Sequence, residues 1–288
     1  MRSVPLVFVF FFLLTGVPQV YSEVTVFAHR GKVSSFCGRE NTLEAFEYAW
    51  QLGLPVEMDV HLSADGVLIV VHDDRVTELS DGQSDVFVDE VSSEILIGWG
   101  APRLLDVLDR FAVYQDHFTD RVGMMVEVKT PRKGAPYTAK EIGRKVADLL
   151  ATRQGFQTQI LLASFNPFSL SVAKKKNKTL KRCLNTGEFT NEESKTLSPL
   201  TKWALKNLLL AKWVLKCLVD PYVVSFEHTL LSSSKINYYH KQGIKVYAWG
   251  VTETDRARCL AEWGVDGIIT DRPVIIRSEL ETNDFIKK

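Results

Sequence analysis

Eight short runs of apolar and β-branched residues recur along the chain, each parted from the next by a longer intervening stretch, several of which carry helical periodicity. That alternation constrains the fold more than any other feature. The runs are Val24–Ala28, Val56–Val60, Met124–Lys129, Ile160–Phe165, Lys181–Asn185, Tyr222–Phe226, Lys245–Trp249 and Gly267–Thr270. Between them, Asn41-Thr42 is expected to cap a helix over Leu43–Leu52, and Thr138–Arg153 carries apolar residues at helical spacing. Ser232–Gln242 stops at Gly243 and Thr254–Trp263 at Gly264, glycine being the usual left-handed helix terminator. Strands alternating with helices build parallel βαβ units, and eight of them predict an α/β fold closed as a (β/α)8 TIM barrel. An open doubly wound sheet is the alternative, but the first strand lacks the GxGxxG turn it would usually carry. Two stretches break the alternation. After the second strand, Val67–His72 reads as an extra strand and Asp73–Asp109 as an insertion of loop and short helix. Leu200–Val219 reads as a helical insertion between the fifth and sixth strands.

At 288 residues and 45% hydrophobic content, the chain has the size of one such barrel, which takes about 250 residues. No Ser/Gly/Pro linker or repeat divides it, so residues 23–288 are expected to form one domain. A formal net charge of zero gives no global attraction for nucleic acid. Upstream, Arg2 precedes an apolar run, Val4–Leu14, broken only by Pro5. That run falls short of the roughly 20 residues a membrane span needs. Pro18 and then Val20-Tyr21-Ser22 suit a cleaved secretory signal over residues 1–22, with a retained signal anchor as the alternative. Either reading puts the body of the protein outside the cytosol, so it is expected to be secreted or lumenal, and membrane-associated if the anchor is kept. In that setting Cys37, Cys183, Cys217 and Cys259 permit disulfides, in any of three pairings, though none lies in a CxxC. Asn177-Lys178-Thr179 is a glycosylation sequon in a polar, Lys-rich stretch.

Barrel chemistry comes from the C-terminal ends of the strands, and here those ends are charged. The first strand runs into His29-Arg30-Gly31, the second holds Glu57-Met58-Asp59 and the third Glu127-Val128-Lys129. Residues two apart in a strand share a face, so Glu57 aligns with Asp59 and Glu127 with Lys129. If that face is the interior, three carboxylates converge, and buried like charges are costly. A hard divalent cation resolves the conflict, since an all-oxygen ligand set suits Mg2+ or Ca2+. The plainer alternative puts Glu57 and Asp59 on a solvated edge strand. His29 and His72 each end an apolar strand. A lone histidine there is commonly a hydrogen-bonded core residue, but two beside a carboxylate cluster suit an acid–base pair.

These residues fall in motifs that resemble the glycerophosphodiester phosphodiesterase family. The family's HRG, ENT, ExD, histidine–aspartate and ExK are matched, in order, by His29-Arg30-Gly31, Glu40-Asn41-Thr42, Glu57-Met58-Asp59, His72-Asp73 and Glu127-Val128-Lys129. Asp65-Gly66, Ser164-Phe165-Asn166-Pro167 and Thr270-Asp271-Arg272-Pro273 also look like the family, so the likeness runs nearly the length of the mature chain. The resemblance implies that Glu57, Asp59 and Glu127 bind the metal with Glu40 nearby, and that His29 and His72 are the acid–base pair. It further implies that Arg30 and Lys129 hold phosphate oxygens and that Trp249 lies near the glycerol. Departures are Gly38-Arg39 where a proline usually precedes ENT, Thr77-Glu78-Leu79-Ser80 after the histidine–aspartate pair, and Gly250-Val251-Thr252 after Trp249. These leave the chemistry intact and bear on which substrate is taken.

The expected reaction is metal-dependent hydrolysis of a glycerophosphodiester, such as glycerophosphocholine, to glycerol 3-phosphate and an alcohol. The alternatives are a lysophospholipase D or sphingomyelinase D-like activity on membrane lipids, with a lysophospholipid as substrate, and a non-catalytic phospholipid-binding protein. Leu200–Val219 bears on the lipid readings. At 100° per residue Lys202, Lys206, Lys212 and Lys216 fall within about 120°, and Trp203 and Trp213 join an apolar remainder. Such a segment is a candidate for peripheral membrane contact; an ordinary amphipathic barrel helix is the other reading.

Overall fold

The eight expected barrel strands form, and they pair in parallel around a closed ring. The computed structural model describes residues 23–119, 121–153, 155–187 and 216–286. Its strands are β1 (Thr25–Ala28), β2 (Val56–Leu62), β3 (Leu68–Val70), β4 (Met124–Val128), β5 (Ile160–Ser164), β6 (Lys181–Thr186), β7 (Val223–Glu227), β8 (Lys245–Trp249) and β9 (Gly267–Thr270). Parallel pairing runs from β2 through β4 to β9, and β1 closes the ring by joining β9 on one side and β2 on the other. β3 lies outside the ring, antiparallel to the end of β2.

Alternate strand residues divide between two cores. Phe27, Met125, Leu161, Ala163, Cys183, Val223, Tyr247 and Ile269 fill the barrel. Their neighbours, among them Met58, Val60, Val126, Val128 and Leu162, face outward against the helices. The described helices are α1 (Leu43–Gln51), α2 (Ser93–Gly98), α3 (Leu104–Phe111), α4 (Ala139–Ala151), α5 (Pro167–Lys176), α6 (Ser233–His240), α7 (Thr254–Glu262) and α8 (Pro273–Thr282). Local chemistry starts several of them. The Thr42 hydroxyl accepts from the Ala45 amide at α1, Thr138 and Glu141 form a reciprocal capping box at α4, and Pro167 and Pro273 occupy first-turn positions where a missing N–H is harmless.

The expected insertion over Asp73–Asp109 is shorter than its sequence suggested. Its last part is α3, which buries Leu104, Val107, Leu108 and Phe111 in the main core. Those residues stand at i, i+3, i+4 and i+7, and two turns suffice to supply the outer layer of the second βα unit. The remainder folds over β3 around its own core of Ile69, Val71, Val76, Leu79, Val88, Val91, Leu96 and Ala101. Of Leu200–Val219, only residues 216–219 are described; Lys202, Lys206, Lys212, Trp203 and Trp213 lie outside the described residues, as do residues 1–22. All four cysteines are free thiols, so the permitted disulfides do not form. No helix of the described residues is long and apolar enough to cross a membrane.

Candidate active site

Two turns at the C-terminal mouth of the barrel are tied together first. Arg30 and Gly31 both adopt left-handed backbone conformations, φ 53° and 72°, which fold the chain back after β1 and aim the Arg30 N–H at Glu57 Oε2, 3.2 Å away. Gly31 is required there: a Cβ would stand 2.7 Å from the Phe46 ring and 3.2 Å from the Ala45 carbonyl carbon. The Asn41 amide N–H then donates to the Arg30 carbonyl at 2.8 Å. Within Glu40-Asn41-Thr42 the three side chains do different work. Glu40 Oε1 accepts from Arg30 Nη1 at 2.6 Å, Asn41 Nδ2 donates to Asp59 Oδ2 at 3.1 Å, and Thr42 caps α1. Glu40 therefore stays outside the carboxylate cluster, its charge taken by Arg30 and by Lys32 at 3.7 Å.

The cluster itself is Glu57, Asp59 and Glu127, which each offer one oxygen within 4.8 Å of the others. Strand parity turns Glu57 and Asp59 inward, and the β2–β4 register sets Asp59 level with Glu127. The edge-strand alternative is excluded by burial, with exposures of 3%, 2% and 7% for Glu57, Asp59 and Glu127. Lys129, itself buried, brings Nζ to 3.4 Å from Asp59 Oδ1 and 3.2 Å from Glu127 Oε1. Arg30 Nε lies 3.5 Å from Asp59 Oδ2 without a hydrogen bond. Asn185 Nδ2 donates to Glu127 Oε2 at 2.8 Å.

Among the described residues, three buried carboxylates thus face the Lys129 ammonium and a guanidinium shared with Glu40. The imbalance shows in their titration. Burial and the neighbouring Asp59 charge push Glu57 up to about 8. Burial would raise Asp59 too, but Lys129, His72, Arg30 and the Asn41 hydrogen bond outweigh it and hold Asp59 well below the usual carboxylate range. Oxygen donors, negative excess and closeness fit a hard divalent cation. Asn41 adds to the fit: its Oδ1 is buried and has no partner among the described residues, leaving an acceptor next to the cluster.

Both histidines lie at this mouth and are held alike. His29 Nδ1–H donates to Asp271 Oδ1 at 2.6 Å, with Nε2 3.9 Å from Glu57 Oε2. His72 Nδ1–H donates to Asp73 Oδ1 at 2.7 Å, these ring orientations following from the hydrogen-bond network. Each ring so held keeps Nε2 for proton exchange. Burial would lower the His29 pKa, but the Asp271 hydrogen bond and the Glu57 charge outweigh it, and the net shift is upward. Asp271 is drawn down to about 2 by the same hydrogen bond. His72 lies two residues beyond β3 rather than on it, because β3 ends at Val70. His61, buried on β2 on the same face as Glu57 and Asp59, brings Nε2 to 3.1 Å from the His72 carbonyl oxygen. Burial and the Lys129 charge lower its pKa to about 4, so the ring is neutral.

Trp249 ends β8 at the same mouth, its indole N–H donating to the Thr186 carbonyl at 3.2 Å and its ring edge-on to Phe165. Sequence reasoning had given His61, Asn185 and Asp271 no role, and had read Asn41, with Thr42, only as a helix cap; the cap is Thr42 alone. Asn41 and Asp271 stood inside quoted motifs, and His61 shares the two-residue period of Glu57 and Asp59. Asn185, at the end of an apolar strand, carried no comparable signal. Cys183, below Asn185, has its thiol pushed well up by burial and Glu127 and takes no charged role.

A model of the glycerophosphoryl diester phosphodiesterase family matches residues 29–275. A glycerophosphodiester phosphodiesterase of Caldanaerobacter subterraneus is 25% identical over 265 residues, which cover 87% of this chain and 95% of that one. An Oleispira antarctica phosphodiesterase, solved in complex with the product sn-glycerol-3-phosphate, superposes with a TM-score of 0.69 at 22% identity, over 89% of this chain and 96% of that one. A glycerophosphodiester phosphodiesterase from Parabacteroides distasonis does so with a TM-score of 0.67 at 20% identity, over 92% and 99%. At these identities the structural likeness speaks for the barrel.

Proposed function

The chain belongs to the glycerophosphoryl diester phosphodiesterase family and is a phosphoric diester hydrolase; from that premise we propose that it hydrolyses small glycerophosphodiesters to glycerol 3-phosphate and an alcohol, with His29 and His72 as acid and base. One observation carries this reading: a buried set of three carboxylates within 4.8 Å lies beside two histidines whose Nδ1 atoms are both held by aspartates.

Glu57, Asp59 and Glu127 would hold a divalent cation, Mg2+ or Ca2+. Bound there, it would polarise the phosphoryl group and lower the pKa of the attacking hydroxyl. Arg30 and Lys129 place cationic donors around the same volume and would take the non-bridging phosphate oxygens. One histidine Nε2 accepts the proton of the attacking hydroxyl, and the other returns a proton to the departing alcohol oxygen. Asp271 and Asp73 keep the two rings from rotating away. Trp249 offers a flat apolar wall to the glycerol. The product named for the Oleispira antarctica complex is the one this reaction would release.

The test is direct. Purified protein with Mg2+ or Ca2+ should release sn-glycerol 3-phosphate from glycerophosphocholine. His29→Ala and His72→Ala should each lower kcat by about 100-fold or more, and their losses should not add, because both serve one proton-transfer sequence. Near-normal turnover in either variant removes that histidine from the mechanism. The same proposal takes the leader to be cleaved before Glu23, so N-terminal sequencing of exported protein should start there.

A further inference from the structure

We propose that the opposite end of the barrel carries a second site, which binds a small phosphate-type dianion. The catalytic groups leave the C-terminal ends of the strands. At the N-terminal ends a cavity of about 250 Å3 opens, lined by Arg121, Lys181, Lys245 and Arg277, with Glu23 the one carboxylate among the described lining residues.

The cations are placed there by the strands. Lys181 is the first residue of β6 and Lys245 the first of β8, while Tyr222 immediately precedes β7 between them. Lys181 Nζ lies 5.2 Å and Lys245 Nζ 5.9 Å from the centroid of the Tyr222 ring, so two like charges converge on one aromatic. Lys181 also donates to the Thr158 carbonyl at 2.7 Å. Beyond its ring contact, the Lys245 ammonium has no partner among the described residues. Arg121 and Arg277 spend N–H groups on backbone carbonyls, those of His117 and Gly53 and of Leu52. Those bonds orient the guanidinium groups; Arg277 Nε also lies 3.6 Å from Glu281 Oε1, and Arg121 stacks over the Phe118 ring, so the two lysines carry the less compensated charge. Burial and the Lys245 charge lower the Lys181 pKa, and burial likewise lowers Arg121, with Glu23 alone opposing.

Below the cations lies Tyr247, only 3% exposed, whose side chain lines the cavity and whose hydroxyl makes no hydrogen bond to a described residue. Bordering the cavity, that hydroxyl is a neutral donor available to an anion there. The other carboxylate nearby, Asp266, is taken by the Val246 N–H and by His240. A stabilising N-terminal barrel face has no use for two lysines converging on one ring beside two arginines. A dianion does: ammonium and guanidinium groups are the donors that phosphate favours, and Tyr247 supplies a neutral donor beneath it.

Titration calorimetry of the full chain with inorganic phosphate, at low ionic strength and in EDTA, tests this. One phosphate should bind per chain. Its affinity should fall tenfold or more in the double variant Lys181→Gln, Lys245→Gln, and should hold in the double Lys→Arg variant and in Arg30→Gln, which alters only the catalytic mouth. Should circular dichroism show the double Gln variant unfolded, Arg277→Gln serves instead, with a loss of about threefold. Absence of binding, or binding lost in Arg30→Gln and kept in the double Gln variant, overturns the proposal. Phosphatidic acid vesicles separate two sources of the same phosphate. Vesicle binding that free phosphate competes away and the double Gln variant loses places a lipid headgroup in the site. Phosphate binding without vesicle binding places a soluble monoester there. The double Gln variant should hydrolyse glycerophosphocholine at the parent rate, so failure here stays distinct from failure of the proposed hydrolysis.

Discussion

His29 and Asp271 meet at 2.6 Å across 242 residues of sequence, Nδ1 to Oδ1, where β1 and β9 lie side by side as the last seam of the barrel. The seam that closes the fold thus also fixes the orientation of a candidate catalytic ring, and the Lys32 ammonium, 3.2 Å from Asp271 Oδ2, steadies the carboxylate.

Asp271 is therefore expected to act through His29. Asp271→Asn should lower kcat by about tenfold or more, the size typical when a carboxylate that orients an imidazole is lost, with little change in KM. Because Asp271 raises the His29 pKa, its removal should move the limb of the pH–rate profile that belongs to His29 to lower pH, whichever protonation state His29 uses. A lower rate with an unmoved limb would mean that Asp271 only ties β9 to β1.

Activity should require a divalent cation. Exhaustive chelation should abolish turnover and added Mg2+ or Ca2+ restore it. Asp59→Asn should abolish turnover in the presence of metal while the far-ultraviolet spectrum stays that of the parent. Full turnover after chelation, measured with metal content below the enzyme concentration, contradicts the metal assignment of Glu57, Asp59 and Glu127.

Metal-free protein should lose stability as pH rises from about 6.5 to 8. Glu57 titrates near 8 in the fold and near 4.3 when unfolded, so across that window the native state holds a proton that the unfolded state has released. Stability falls with pH wherever the native state binds more protons. The raised His29 pKa acts in the same direction above its unfolded value near 6.5. Asp59, shifted the other way, has completed its change below this window, and His61, lowered to about 4, opposes Glu57 below its unfolded value near 6.5 and only weakly above it. Thermal melts in EDTA should show Tm declining toward pH 8, and Mg2+ or Ca2+ should raise Tm more at pH 8 than at pH 5. A Tm rise of equal size at both pH values would show that Glu57 is not relieved by the cation.

Gly31→Ala should weaken both fold and catalysis. A left-handed φ costs a Cβ-bearing residue about 1–2 kcal/mol, and the approach of 2.7 Å to the Phe46 ring adds an overpacking cost of about 1–3 kcal/mol. Differential scanning calorimetry should show a lower Tm, and kcat should fall because the same turn carries His29 and Arg30. An unchanged melt would mean that Phe46 gives way freely.

Much of this site was legible along the chain. The two-residue period of a strand is built into the backbone, so Glu57 and Asp59 had to share a face, and His61 with them. Helix starts were equally local: Thr42, the Thr138–Glu141 pair and Pro273 need only the residues beside them. The order of the motifs carried the family. What only tertiary structure decided depends on register and closure, which join residues distant in sequence. The β2–β4 register set Asp59 level with Glu127, and burial settled the edge-strand alternative against solvent. Glu40 was diverted to Arg30 because two left-handed turns bring their side chains to 2.6 Å. Asn185 reached Glu127 from a strand two places round the barrel. Local periodicity says which way a side chain points, and only the closed ring says what it meets there.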